Sequence, residues 1–88
     1  MVNYKVYFTA QAIKDSKKVA GAGLKDKVTV LIEILKKNPF QNPPPYEKLL
    51  GDLAVAYSRR INIRHRLVYQ VMKKEKAVKI IRMWTHYE

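Results

Sequence analysis

The chain has 88 residues, which suffices for one domain with a single hydrophobic core and leaves no room for a second module. It has no cysteine and no run of about 18 uncharged apolar residues, which excludes disulfides, thiolate zinc sites and a membrane-spanning helix. Lysine and arginine number 18 against 7 acidic residues, and the resulting charge of +11 favours a nucleic acid partner over an anionic membrane or an acidic protein.

The first half of the chain predicts one strand followed by two helices. Apolar and polar side chains alternate over residues 4–8, which indicates a strand. Thr9 then stands where a helix N-cap belongs, and a weak apolar stripe predicts a helix over 10–20 that the glycines of "GAG" end. In residues 24–37 apolar side chains recur at intervals of four, three and four, which favours a helix over a strand.

A proline segment separates the helices from the rest of the chain. All four prolines lie between residues 39 and 45, so this stretch can be neither a helix nor a central strand, and we expect a stiff, extended connection that positions Glu47. The following "LLGDLA" is predicted as a turn region. Three antiparallel strands then follow over residues 56–63, 66–72 and 77–87, with "KKEK" as the second hairpin turn.

The predicted order is therefore β-α-α-β-β-β. This order indicates an α+β fold in which a helical hairpin packs on a curved, mainly antiparallel sheet. Residues 1–88 form a single domain without internal repeats. The opening "MVNYKVYFTA" lacks a long apolar core behind a basic start, so we expect a cytosolic protein.

Alternation along the predicted strands sorts their side chains onto two faces of the sheet. Arg59 falls on the more apolar face. If the polar faces of the strands coincide, one face gathers four cationic or titratable groups, namely Arg60, Arg66, Arg82 and His86. Each arginine alone is most simply a solvated surface residue, whereas their convergence indicates a site for an anionic ligand.

Cleavage of RNA without a metal needs three groups around one phosphate. A base removes the proton of the 2′-hydroxyl, an acid protonates the leaving 5′-oxygen, and a fixed cation stabilises the extra charge on phosphorus. Glu47 is the candidate base, His86 the candidate acid and Arg66 the candidate clamp, because a guanidinium holds two phosphate oxygens and stays charged. Tyr87 is a candidate for orienting the substrate or stacking on a base. Two histidines and seven scattered acids predict neither a metal site nor a cofactor.

Each assignment also has a simpler structural interpretation. Glu47 could begin a short turn or pair with a nearby lysine, and a histidine near a chain end, such as His86, is frequently inert. We interpret His65 as a structural residue in a turn between strands, and Trp84 as a packing residue.

Three motifs occur in a fixed order: "YSRRI", "HRLVY" and a terminal "HY", with "YEKL" ahead of them at the end of the prolines. Together they resemble the YoeB/Txe branch of the RelE superfamily of bacterial toxins, and the resemblance extends over nearly the whole chain. It implies a ribosome-dependent messenger RNA interferase that cuts the message in the A site. It places catalytic roles on Glu47, Arg66, His86 and Tyr87. The expected RNA-binding residues are basic positions around these motifs, namely Lys48, Arg59, Arg60, Arg64 and Arg82.

The resemblance also implies partners. Toxins of this branch are inhibited by an antitoxin from the same operon, usually of the Phd/YefM type, whose acidic, disordered segment would fold onto the basic surface. Homodimers occur in the branch as well. Leu50 stands where relatives often carry a lysine, and the lysine that follows the glutamate is displaced to Lys48, which is a departure from the family's phosphate contact.

Two other classes of function stay open at this point. A non-enzymatic toxin of the same fold, like the ParE toxins that act on gyrase, would generally lack the terminal His-Tyr pair and the positioned glutamate. A basic protein that binds RNA or the ribosome would need only the charge.

Overall fold

In a computed structural model of the chain, residues 3–50 and 55–84 are described. Within them two helices and five strands occur in the order β1 (Lys5–Phe8), α1 (Ala10–Gly21), α2 (Lys25–Lys37), β2 (Tyr46–Leu50), β3 (Val55–Arg60), β4 (Arg66–Met72) and β5 (Ala77–Arg82). The strands form one sheet in the order β1-β5-β4-β3-β2, in which β1 is parallel to β5 and the other pairs are antiparallel. The predicted α+β class with a helical hairpin on a mainly antiparallel sheet is confirmed.

The sheet has one strand more than we predicted. β2 occupies residues that we assigned to the end of the proline connection and to a turn, and it pairs with β3 at the edge of the sheet. An edge strand needs a hydrogen-bonding partner on one side only. β2 begins directly after Pro45, so the prolines of the preceding segment lie outside the hydrogen-bonded ladder. β3 ends at Arg60 rather than 63, because residues 61–64 bend and Asn62 Oδ1 accepts from the backbone of Arg64 and His65.

The two helices bury one side each against the sheet. Thr9 caps α1 as predicted, with its hydroxyl accepting from the Ala12 N–H at 3.0 Å. Their buried apolar residues are Ala12, Val19, Val28, Leu31 and Leu35, which pack on a sheet face formed by Leu67, Tyr69, Val78 and Ile80. Among the described residues no helix combines the length and the apolar character needed to cross a bilayer.

A register shift between β4 and β5 decides which face Arg82 joins. Tyr69 pairs with Ile80, but the neighbouring Val68 pairs with Arg82, so β5 carries one extra residue at this point. Without the extra residue, Arg82 would share the buried face of Ile80. With it, Arg82 joins the opposite face, and Met83 returns to the core. The predicted polar face of Arg82 therefore depends on this irregularity.

A buried carboxylate ties the end of β5 to α1. Asp15 is 1% exposed, and its Oδ2 accepts from the backbone N–H groups of Met83 at 3.0 Å and Trp84 at 3.3 Å. Burial raises the pKa of Asp15, but hydrogen bonds from Met83, Gln11 and Trp84 and the charge of Arg82 outweigh it, so the pKa lies below its ordinary value. The ionised side chain therefore stabilises this junction.

Asp15→Asn should lower the free energy of unfolding at pH 7 by about 1–3 kcal/mol, because an amide is a weaker acceptor for the two buried N–H groups. The pKa of Asp15 is lower in the folded state, so the carboxylate stabilises the fold above its unfolded pKa of about 4 and loses this effect as the pH falls through the folded value. Urea unfolding should therefore show a smaller difference between variant and wild type at acid pH than at neutral pH.

The control for this prediction is Glu33→Gln, which alters an exposed carboxylate of α2. It should change the free energy of unfolding by less than about 0.5 kcal/mol. Equal losses in the two variants would contradict the role of Asp15.

Candidate active site

The candidate site lies on the sheet face that points away from the helices. Cross-strand pairing puts Glu47 opposite Ser58, Ser58 opposite Val68, and Arg60 opposite Arg66. Directly paired residues share a face, and so do residues two apart on one strand. The folded sheet therefore brings together a carboxylate from β2, a hydroxyl and a guanidinium from β3, and a guanidinium from β4.

Glu47 of the edge strand β2 and Arg66 of β4 form an ion pair across β3 on this face. Arg66 Nη1 donates to Glu47 Oε2 at 3.0 Å, although the two residues are 19 positions apart. The Arg66 side chain is 21% exposed and the Glu47 side chain 64% exposed. An ion pair with one partner this exposed adds little to stability, so an anionic ligand can separate it at small cost.

A basic groove surrounds the ion pair. The pocket at the pair is lined by Pro45, Tyr46, Glu47, Ser58, Arg60 and Arg66. A second pocket shares Pro45 and Arg60 with it, and adds Lys27 from α2 and Arg64 from the bend after β3. Four cationic side chains thus line two adjoining pockets, which suits the spaced charges of a phosphodiester backbone. The sequence analysis had missed Lys27, because only the fold brings α2 beside the bend.

Arg59 does not belong to this groove, and the prediction that it binds RNA is wrong. It is 1% exposed and lies on the helix-facing side of the sheet, opposite Leu67. Its guanidinium donates to the hydroxyl of Tyr69 at 3.1 Å and to the carbonyl oxygens of Pro39 at 3.0 Å, Gln41 at 2.8 Å and Pro44. Four of the five guanidinium N–H groups thus have internal acceptors, and burial keeps a phosphate away from the side chain.

The contacts of Arg59 fix the proline segment beside the sheet. The guanidinium lies 5.0 Å from the centre of the Tyr46 ring, at the first residue of β2. Burial raises the pKa of the Tyr69 hydroxyl above its ordinary value, although the charge of Arg59 opposes this, so the neutral hydroxyl both accepts from Arg59 and donates to the Pro39 carbonyl at 3.3 Å. These contacts set the point at which β2 enters the sheet, and hence the position of Glu47.

The other predicted site residues divide into three groups. Arg60 and Arg64 line the groove, and Arg82 lies on the same face as Arg66, one strand farther along the sheet. Lys48 pairs with Tyr57 and therefore points to the face opposite Glu47, so the structure does not bring it into the site. The predicted catalytic residues His86 and Tyr87 lie outside the described residues.

His65 and Trp84 pack against each other near the end of β5. Their rings stack with centroids 3.8 Å apart and an angle of 18° between planes, and His65 is buried. This contact joins the bend before β4 to the end of β5. The structural interpretation of His65 and the packing role of Trp84 are both confirmed.

The chain is similar to toxins of known family. The family model described as the YoeB-like toxin of bacterial type II toxin-antitoxin systems matches residues 8–87. Toxin YoeB from Synechocystis sp. is 34% identical over 62 residues, which are 70% of each chain. The YoeB dimer from Staphylococcus aureus is 32% identical, with a TM-score of 0.81 over 97% of this chain and 99% of that one. The YoeB-YefM complex from the same organism is 32% identical, with a TM-score of 0.76 over 96% and 98%.

Two adjacent arginines give a matched test of the burial described above. Arg59→Ala should lower the free energy of unfolding by about 3–5 kcal/mol, because the buried Pro39 carbonyl and Tyr69 hydroxyl lose their donor and a cavity forms. Arg60→Ala removes the same side chain from the exposed face and should change it by less than about 0.5 kcal/mol. Urea unfolding followed by the fluorescence of Trp84, the only tryptophan, measures both. Similar stability of the two variants would contradict the assignment of Arg59.

Proposed function

The chain belongs to the family of YoeB-like toxins of bacterial type II toxin-antitoxin systems, and we propose that it is an endoribonuclease that cuts messenger RNA in the A site of a translating ribosome. The observation that carries the proposal is the ion pair of Glu47 and Arg66, 3.0 Å apart in an open basic groove. A proton acceptor and a phosphate-binding cation are thus within the span of one phosphodiester group. The cellular compartment of this activity is the cytoplasm, where ribosomes are.

The reaction begins when a phosphate of the message enters the groove. The phosphate competes for Arg66, whose guanidinium can bind two of its oxygens, and the exposed Glu47 carboxylate is released from the ion pair. Glu47 then removes the proton of the 2′-hydroxyl next to the phosphate. The 2′-oxygen forms a bond to phosphorus as that proton is transferred.

The transition state carries extra negative charge on the phosphoryl oxygens. Arg66 stabilises this charge directly, and Arg60 adds a second cation in the same pocket. The bond from phosphorus to the 5′-oxygen then breaks, and the leaving oxygen takes a proton from the imidazolium of His86. The products are a 2′,3′-cyclic phosphate and a 5′-hydroxyl end. The roles of His86 as acid and of Tyr87 as substrate contact rest on the resemblance of the terminal "HY" to the family.

The remaining cations of the groove bind the message next to the cleaved bond. Lys27, Arg60 and Arg64 continue the line of positive charge away from Glu47. The net charge of +11 strengthens the association with ribosomal RNA at long range. Binding and chemistry are thus assigned to neighbouring parts of one surface.

Partners follow from the relatives. Because an S. aureus relative is found in a YoeB-YefM complex, we infer a cognate antitoxin of the YefM type for this chain, and the YoeB dimer of that organism supports self-association. An acidic antitoxin segment would be attracted to the basic groove and would compete there with RNA. Inhibition by occupation of the active surface is the simplest consequence.

Replacing the catalytic groups should abolish cleavage without unfolding the protein. Glu47→Gln and Arg66→Ala should each lower the cleavage rate by about 100-fold or more, since they remove the base and the transition-state cation. His86→Gln should likewise lose cleavage and keep ribosome binding. A cell-free translation reaction in which the new ends of the message are mapped measures the effect.

Lys48→Gln is the matched control, because it changes the neighbouring residue on the opposite face of β2. It should cleave at nearly the wild-type rate. Full cleavage by Arg66→Ala would exclude the clamp role. Ribosome binding without cleavage by the wild type would favour a basic binding protein instead.

Ribosome binding should depend steeply on salt. The logarithm of the association constant should fall linearly with the logarithm of salt concentration, and Arg60→Ala should reduce the slope by about 1, since one phosphate contact is lost. Sedimentation with ribosomes at a series of salt concentrations measures the slope. A flat response would contradict binding through phosphate contacts.

A further inference from the structure

The middle of β3 carries a buried hydroxyl without a partner. Ser58 is 1% exposed, and its Oγ makes no hydrogen bond to any of the described residues. Buried polar groups in proteins are nearly always paired, because an unmade hydrogen bond lowers stability. An unpaired hydroxyl inside a candidate active site therefore indicates a partner that approaches in another state of the site.

The position of Ser58 limits what that partner can be. It lies directly opposite Glu47 in the sheet and lines the same pocket as Glu47, Arg60 and Arg66. Side chains at directly opposite positions have Cβ atoms about 4.5–5.5 Å apart, which is within reach of a bond between a serine hydroxyl and a glutamate carboxylate. In the structure, however, Glu47 Oε2 accepts from Arg66.

Chemistry and access both favour Glu47 as the partner. Arg60 and Arg66 carry only donors, so neither can accept from the hydroxyl. Tyr46 also borders the pocket, but it pairs with Arg59 on the other face of the sheet, and its ring packs against Phe40 and Tyr57. The Ser58 hydroxyl is closed to solvent, so a phosphate, which is larger than water, does not reach it. The Glu47 carboxylate belongs to the directly opposite residue and needs only a change in its side-chain torsions to approach the hydroxyl.

We propose that Ser58 is a positioning residue for the general base, and that its hydroxyl donates to the Glu47 carboxylate once Arg66 has turned to the substrate phosphate. The inference rests on the proposed function and adds a residue to it. Arg66 leaves Glu47 at the moment when the carboxylate must be charged and aimed at the 2′-hydroxyl. A donated hydrogen bond favours the ionised form of a carboxylate and restricts its orientation, so Ser58 replaces both effects of the lost ion pair.

This role predicts an unusual combination of stability and activity. Ser58→Ala removes a hydroxyl that has no partner in the resting site, so the urea midpoint of unfolding should equal or exceed that of the wild type. The same variant should nevertheless cleave the message more slowly than the wild type. A serine with a merely structural role would show a lower midpoint when changed to alanine.

The experiment measures single-turnover cleavage of an end-labelled message on programmed ribosomes, at pH values from about 6 to 9. Ser58→Ala should lower the maximal rate about tenfold, the equivalent of one hydrogen bond to a charged group, and leave the half-saturating toxin concentration unchanged. The acid limb of its pH–rate profile should move to higher pH, because the carboxylate is protonated more easily without the donor. Ser58→Thr keeps the hydroxyl, and threonine is favoured in strands. This variant should therefore restore the wild-type maximal rate and the wild-type position of the acid limb.

Wild type and Glu47→Gln are measured in parallel, so that two failures can be told apart. If the wild type does not cleave, the proposed function fails, and this inference fails with it. If the wild type cleaves and Glu47→Gln does not, a Ser58→Ala variant with the wild-type rate and limb overturns this inference alone. A raised half-saturating concentration with an unmoved limb would assign Ser58 to RNA contact, and a lowered unfolding midpoint would assign it to the fold. Either result overturns the proposal.

Discussion

The guanidinium of Arg59 satisfies backbone groups that no sheet or helix satisfies. Proline has no N–H, so a proline-rich segment cannot join a regular ladder, yet carbonyl groups that it turns toward the protein still need donors. Arg59 supplies them to Pro39, Gln41 and Pro44 from one planar group. The segment is thereby held against the core side of the sheet, and β2 begins at its end. The position of Glu47 on the other side of that strand depends on this arrangement.

The two faces of the sheet serve different purposes, and the residues on them are satisfied to different degrees. On the helix side, four of the five guanidinium N–H groups of Arg59 have internal acceptors. On the other side Glu47 of the Glu47–Arg66 pair is exposed, and Ser58 lacks a partner among the described residues. A polar group without a hydrogen-bond partner lowers the stability of the resting protein, and it can form that hydrogen bond when a ligand changes the site. This contrast between faces supports the placement of the active site better than the positive charge does, since charge is distributed over the whole chain.

The end of the last described strand is held from two directions. Asp15 on α1 accepts from the backbone at Met83 and Trp84, and the Trp84 ring stacks on His65 in the bend before β4. Neither contact takes part in the proposed chemistry. The first contact joins the end of β5 to α1, and the second joins it to the bend before β4, the strand that carries Arg66.

Local patterns in the sequence determined the α+β class, the two helices, most of the strands and the chemical character of Glu47 and Arg66, because periodicity and side-chain chemistry are properties of short segments. Tertiary structure alone decided that β2 is a strand. The preceding prolines interrupt the sequence pattern, and only pairing with β3 identifies this edge strand. It also decided that Arg59 is buried while Arg60 faces the groove, although alternation had separated the two. The sheet face on which Arg82 lies depends on a β-bulge that the local sequence pattern does not predict. In each case the deciding partner lies far away in the chain, where an interaction exists only after folding.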